Sequence, residues 1–498
     1  MDIEQIRVNA EEYRGALELE RLAILTQHKT PVGRTAVDRR FSRVASRSAI
    51  EQVEAGLADA EKRGLPEESR RLRRLRTWQL SGFAEREVRA IDDRIEETAH
   101  SSRFINLDGR SHALRNARPL LGQAANPAER IRLDAARSAA ALELTPLLSE
   151  RLGICQGIAR SFGHDSYLEL WQSSLGADLD ALRGLAETVL AETDDMYREV
   201  LGWTLHKRLG LSLEEAHQRD IPYVLAARYS DYADCFSAQS LVSKAQEFLA
   251  HMGLSLSCDG RLKTLISQPV GAPRAFVSAP KIPGDVRLVL QLGDSQRDAL
   301  SFLNALGRAL FLAGISPQAP FEDRVLGDES LDHAYGLLFQ NLLLDRRWLQ
   351  GALGFKRPKD YLLLASLDRL YYLRLICGRT LYELELFSRG TTDGMQRRYV
   401  ELFRRAICVE VAPEFYLHEA RRPFQSVTQL RGQIYECLFT QHLSHYFDRD
   451  WWHNPRAGPF LRQEWQAGRR LDVEARATEM SYDGLILSPL LKQLDRHL

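Results

Sequence analysis

The sequence predicts an all-α protein that carries one small β-ribbon, and three observations point to it. Apolar residues recur at spacings of three and four in most stretches of the 498 residues. Examples are AEEYRGALELERLAILTQ (10–27), SAIEQVEAGLADAEKRG (48–64) and DLDALRGLAETVLAETDDMYREVLGWTLHKRLG (178–210). Helix stops punctuate these runs at Gly64-Leu65-Pro66, Gly210, Gly253 and Gly314-Ile315-Ser316-Pro317. Only DVRLVLQL (285–292), between Pro283 and Gly293, alternates like a strand, and APRAFVSAP (272–280) is its expected partner in a ribbon.

A buried helix follows the strand. Asp294 or Ser295 can cap it, because a short side-chain oxygen accepts from the free amides of a first turn. Gly314 is expected to end it in a left-handed conformation. Between them Ala299, Leu300, Phe302, Leu303, Leu306, Ala309, Leu310, Phe311 and Leu312 are apolar nearly all round. Asn304 and Arg308, four apart, share one face of this helix. Such a charge needs a partner, since leaving one unpaired in apolar surroundings costs roughly several kcal/mol. His333 follows Arg308 by 25 residues, inside GDESLDHAYGLLFQNLLLDRRWL (327–349). That stretch reads as a second buried helix, with Asp328 as its cap.

Composition excludes several function classes. Lys+Arg and Asp+Glu both number 67, so no net field draws the chain to nucleic acid or an acidic membrane. The five arginines between Arg70 and Arg76 read as a solvated helix face, because Glu67, Glu68, Glu85 and Glu87 flank them. Cys155, Cys235, Cys258, Cys377, Cys408 and Cys437 form no C-x-x-C pair and read as thiols in a reducing compartment. The N-terminus carries no signal-peptide pattern, and runs such as YLLLASL (361–367) are too short to span a bilayer. A cytoplasmic protein without nucleic-acid or membrane partners is expected.

IPGDVRLVLQLGDSQRDALSFLNALGRALFLAG resembles the strand–loop–helix of oligopeptidases of the thimet oligopeptidase/oligopeptidase F type. Their pattern there ends in D-x-x-x-L-x-H-E-x-G-H-A-L. GDESLDHAYGLLFQNLLLDRRWL is similar to their next helix, G-D-x-S-x-x-E-A-Y-A-x-L-F-E, whose first Glu is the third zinc ligand. The resemblance extends to ICQGIARSFGHDSYLELW (154–171), LRLICGRTLYELELF, QSVTQLRGQIYECLF and DRDWWHNPRAGPFLRQEWQAGRRLD. It implies two helical lobes facing across a deep cleft, with the strand-following helix at its floor. A degenerate metallopeptidase-like region is expected over 151–498, continuous with an N-terminal helical region over 1–150.

The resemblance puts the first zinc histidine on Asn304, the general-base glutamate on Ala305, the second histidine on Arg308 and the ligand glutamate on His333. Every departure removes chemistry. Catalytic zinc needs three protein ligands and an open site; arginine has no lone pair to offer, and alanine cannot take a proton from water. No metal or other cofactor is expected. Asp328, Glu329 and Asp332 are the carboxylates expected near Arg308, and Gln429 falls where the family's oxyanion-stabilising tyrosine would be.

Other histidines are weaker candidates. His418-Glu419-Ala420-Arg421-Arg422 opens like the zinc motif but ends in arginine, and reads as a solvated or capping segment. His442 and His445 lack a third ligand, and DWWHNP (450–455) reads as core and turn. The expected function is a zinc-free pseudopeptidase that binds a peptide or small anionic ligand at 304, 305, 308 and 333. The alternatives are a metal-independent enzyme using the same cleft and a non-catalytic partner protein of an active homologue.

Overall fold

The computed structural model describes residues 2–27, 32–100, 104–107, 110–113, 117–172, 175–226, 229–267 and 275–498. Among them the chain is mostly helical, with 22 α-helices and a small three-stranded mixed sheet. A two-stranded hairpin, Phe104–Leu107 with Arg110–Ala113, adds strands that the helical periodicity does not predict. Two compact units emerge, each built from separated segments. The first comprises Met1–Phe83, Tyr232–Pro358 and Arg431–Pro489; the second comprises Ala84–Asp231, Lys359–Leu430 and Leu490–Leu498.

The expected ribbon is the core of the sheet in the first unit. Strand Asp285–Leu290 lies in the middle, antiparallel to Ala275–Lys281 and parallel to Leu262–Ile266. Residues 272–274 of the expected ribbon fall outside the described residues. The parallel third strand is an addition: LKTLI is too short to display a period-2 pattern. Helix Ile3–Gln27 packs on Ala275–Lys281. Leu22 joins Phe276 and Val289 in one buried cluster, and Gly15 lies so close that an added Cβ would sit 2.8 Å from the Pro280 carbonyl oxygen. Helix Gln296–Gly314 also packs on the sheet, against Ala275–Lys281 and Asp285–Leu290.

Several helix ends follow from single residues. Ser46 accepts from Ala49 N to start Arg47–Lys62, and Gly64, at φ 66, ends that run before Pro66 opens Pro66–Glu87. Gly210 and Gly253 adopt positive φ as expected of helix stops. Gly314 does not: it is the last helical residue, and its missing Cβ makes room for Trp465, whose Cβ would be 2.8 Å away. The 178–210 run is two helices, Leu179–Glu192 and Asp194–Leu209, broken at the buried Thr193.

The arginine run is not a solvated face. Arg70 and Arg74 donate to the buried carboxylate of Asp323 at 2.6 and 2.8 Å, with Arg71 3.6 Å from it. Both Arg70 and Arg74 also donate to the Arg470 carbonyl. These side chains clamp the first unit together; spacing along the helix carries no information about a carboxylate some 250 residues away.

In the second unit, helix Lys359–Arg389 buries Arg374 completely. Its guanidinium donates to the carbonyls of Ala406 and Leu190, to Thr193 Oγ1 and to Asp194 Oδ1, all at 2.7–2.8 Å. A buried cation is tolerated when its donors are used in this way. No described helix is long and apolar enough to cross a membrane, and the six cysteines are free thiols.

Candidate functional site

The site forms where helix Gln296–Gly314 crosses helix Ser330–Gln340. Ser295 caps the first by accepting from Asp298 N, as expected. The second has Glu329 at its N-cap, and Asp328, one residue earlier, accepts from Ser330 N through Oδ1 at 2.9 Å. It ends at Gln340 rather than continuing through 349, because a 3-10 turn intervenes and Asp345 caps a new helix, Arg346–Gly351, at Trp348 N.

Glycines set the approach of these helices. A Cβ on Gly307 would lie 2.1 Å from the Tyr335 carbonyl oxygen and 2.9 Å from the Phe339 ring. One on Gly336 would lie 3.0 Å from Arg308 Cγ and 3.0 Å from both amide atoms of Asn304. Phe311 stacks on Tyr335 at 4.7 Å between ring centroids. Helix Gln425–Phe447 closes in at Gly432, where a Cβ would lie 2.8 Å from His333 Cβ and from the Ser330 carbonyl oxygen. The crossing therefore brings Asn304, Arg308 and the 333–336 turn together. Ala305 is buried on the same helix.

The carboxylates expected near Arg308 are engaged elsewhere or exposed. Asp332 takes both ends of Arg469, with Nε to Oδ2 at 2.9 Å and Nη2 to Oδ1 at 2.7 Å. Asp328 pairs with Arg431 at 2.9 Å and accepts from Val473 N at 3.1 Å. Glu329 is exposed. Arg308, half-buried, makes neither an ion pair nor a hydrogen bond among the described residues, and its Nε is sealed from solvent. Of the two partners expected for Arg308, an acidic side chain or a bound anion, no ion pair with these acids forms, although the Arg308 charge is felt at Asp332. Arg431 and Arg469 reach the acids first, from segments more than 100 residues later in the chain.

The electrostatics follow from this arrangement. Burial, and then the Arg308 charge, hold the His333 imidazole below its ordinary value; Asp332 and Asp328 oppose them. Burial would raise the Asp332 carboxyl, but the Arg469 charge and hydrogen bonds, with Arg308 adding to them, keep it below the usual range. Asn304 Nδ2 donates to Gln340 Oε1 at 3.0 Å. Gln429 lies on the Gln425–Phe447 helix, in the second unit, and its buried Oε1 has no hydrogen-bond partner among the described residues.

Zinc does not fit this donor set. Asn304, Arg308 and His333 offer one imidazole, one amide and one permanent cation, and a dication beside Arg308 would meet charge repulsion. Among the described residues no three His, Cys, Asp or Glu side chains are grouped to hold a metal. His418 is half-buried with Nε2 3.2 Å from the Ala141 carbonyl oxygen, and Glu419 pairs with Arg379, so that segment is tied down rather than solvated. His442 stacks on Phe460, and His445 packs edge-on to Tyr446. Trp451 is buried in a 3-10 turn, as expected of core and turn.

Sequence reasoning missed Gln340, Gly336, Arg431 and Arg469. Only Gly336, a glycine inside an apolar helical run, carried a local signal of close approach. The chain matches no protein-family model and no curated protein.

Proposed function

We propose that this chain is a metallopeptidase-like protein without zinc or peptidase activity. It binds a small anionic ligand, or the anionic group of a peptide, where a zinc peptidase would hold its metal. One observation carries this: Arg308 makes no ion pair or hydrogen bond among the described residues, while Asp328 and Asp332 are committed to Arg431 and Arg469. A guanidinium in apolar surroundings, already part-desolvated, gains roughly 1.5–3 kcal/mol from each charged hydrogen bond it forms.

The oligopeptidase-like ancestry is supported by element order. Strand Asp285–Leu290 leads into the helix bearing Asn304, Ala305 and Arg308, and that helix packs on the one bearing His333. On this reading the helix floors a deep cleft between two helical lobes, and a bound anion is held there by Arg308 in place of the metal. Ala305 leaves no base to activate water, so binding is the retained activity.

Calorimetric titration of the full chain with acetate and sulfate tests this. Saturable binding that is lost in Arg308→Met, with the melting temperature kept, is expected. Absence of saturable binding at tens of millimolar, or chelator-sensitive peptide cleavage by the purified chain, would reject it.

A further inference from the structure

The inventory of donors and acceptors at the crossing narrows the ligand further. Arg308 supplies donors only, so an oxyanion with no donor of its own would be satisfied by Arg308 alone. Yet Asn304 is held beside it. The position a Gly336 Cβ would take is 3.0 Å from Arg308 Cγ, from Asn304 Nδ2 and from Asn304 Oδ1. The Nδ2–Gln340 hydrogen bond orients that amide, and Oδ1 accepts nothing from the described residues. His333 lies three residues before Gly336 on the same helix face, and its ring makes no hydrogen bond among the described residues. A neutral imidazole presents one acceptor nitrogen. The crossing thus offers one cationic fork, two acceptors in Asn304 Oδ1 and the imidazole, and two N–H donors in the second Nδ2 hydrogen and the imidazole N–H.

Resting on the proposed anion site, we infer that its ligand is a carboxylate with a hydroxyl or amide N–H on the adjacent carbon. The carboxylate lies on Arg308, whose planar fork matches it with two parallel hydrogen bonds. The adjacent donor goes to Asn304 Oδ1 or to the His333 ring. Sulfate carries no donor for Asn304 Oδ1 and is the weaker ligand on this reading. A 2-hydroxy acid and an N-acylated amino acid, including a peptide C-terminus, both meet the requirement.

Four probes, titrated calorimetrically into the full-length chain, separate the outcomes: acetate, glycolate, N-acetylglycine and sulfate. Glycolate or N-acetylglycine should bind about tenfold more tightly than acetate, the worth of one added hydrogen bond to a well-placed acceptor. The tighter of the two shows whether the donor is a hydroxyl or an N–H. In Asn304→Ala this preference should shrink. Acetate or sulfate binding as tightly as both donor-bearing probes would overturn the inference and leave the anion site standing. Binding by none of the four would remove the anion site itself. The comparison among probes on the unaltered chain needs no variant, so it stands even if Asn304→Ala folds poorly.

Discussion

Gly307→Ala tests the helix crossing on which the site depends. The added methyl would lie 2.1 Å from the Tyr335 carbonyl oxygen, 2.9 Å from its carbonyl carbon and 2.9 Å from Phe339 Cδ2. A carbon–oxygen contact at van der Waals distance needs about 1 Å more, and the obstructing atoms are backbone, so a whole helix must move. Overpacking of this kind costs about 1–3 kcal/mol or more, against a gain of about 1 kcal/mol from replacing a mid-helix glycine by alanine. The clash is with backbone, so the cost sits at the upper end of that range and the expected net loss is about 2 kcal/mol. Gly157→Ala is the control: it is also mid-helix, within Pro127–Ser161, and its Cβ would meet nothing within 4 Å. That change should stabilise by about 0.5–1 kcal/mol. Urea denaturation followed by far-ultraviolet circular dichroism would compare the midpoints, with unchanged slopes confirming the same transition. A Gly307→Ala midpoint at or above wild type would refute the close crossing.

Two further changes probe neighbouring parts of the structure. Asp332→Asn breaks its buried pair with Arg469 and should cost about 3–5 kcal/mol, read as a lowered denaturation midpoint; a neutral result would mean the pair contributes nothing. Glu383 is fully buried beside Ser426 Oγ, and burial raises its carboxyl from an ordinary 4.5 to about 8, against the Ser426 hydrogen bond and the Arg379 charge. The folded chain therefore holds a proton that the unfolded chain has lost between those values, so stability should fall as pH rises from about 5 to about 8. Glu383→Gln should flatten that slope in pH-dependent melting curves, and an identical slope in the variant would exclude Glu383 as its source.

Much of the site's frame was legible because it is local. The alternating DVRLVLQL, the Ser295 cap and the apolar helix after it are read within a few residues, and the structure reproduces all three. Asp328 was legible to within one residue of the helix start: Glu329 is the N-cap, and Asp328 accepts from Ser330 N. What was not legible depends on contacts distant in sequence. Gly314 looks like a left-handed stop, but its role is to admit Trp465. Asp332 and Asp328 look free to neutralise Arg308, but Arg469 and Arg431 claim them from 137 and 103 residues away. The Thr193 break is equally hidden, because the apolar periodicity runs across it while Thr193 itself accommodates the turn by donating to the Val189 carbonyl.

The central claim is that Arg308 is a ligand-binding cation and not part of a structural ion pair. The melting temperature of Arg308→Met against wild type, without and with glycolate, tests it most directly. Methionine keeps much of the aliphatic stem, and no carboxylate is orphaned by the change. The variant should therefore melt within about 1 °C of wild type, a difference of about 1 kcal/mol for a chain of 498 residues. Glycolate should raise the melting temperature of wild type and leave the variant's unchanged. A drop of several degrees in Arg308→Met, matching that of Asp332→Asn, together with the same glycolate response in both proteins, would contradict it.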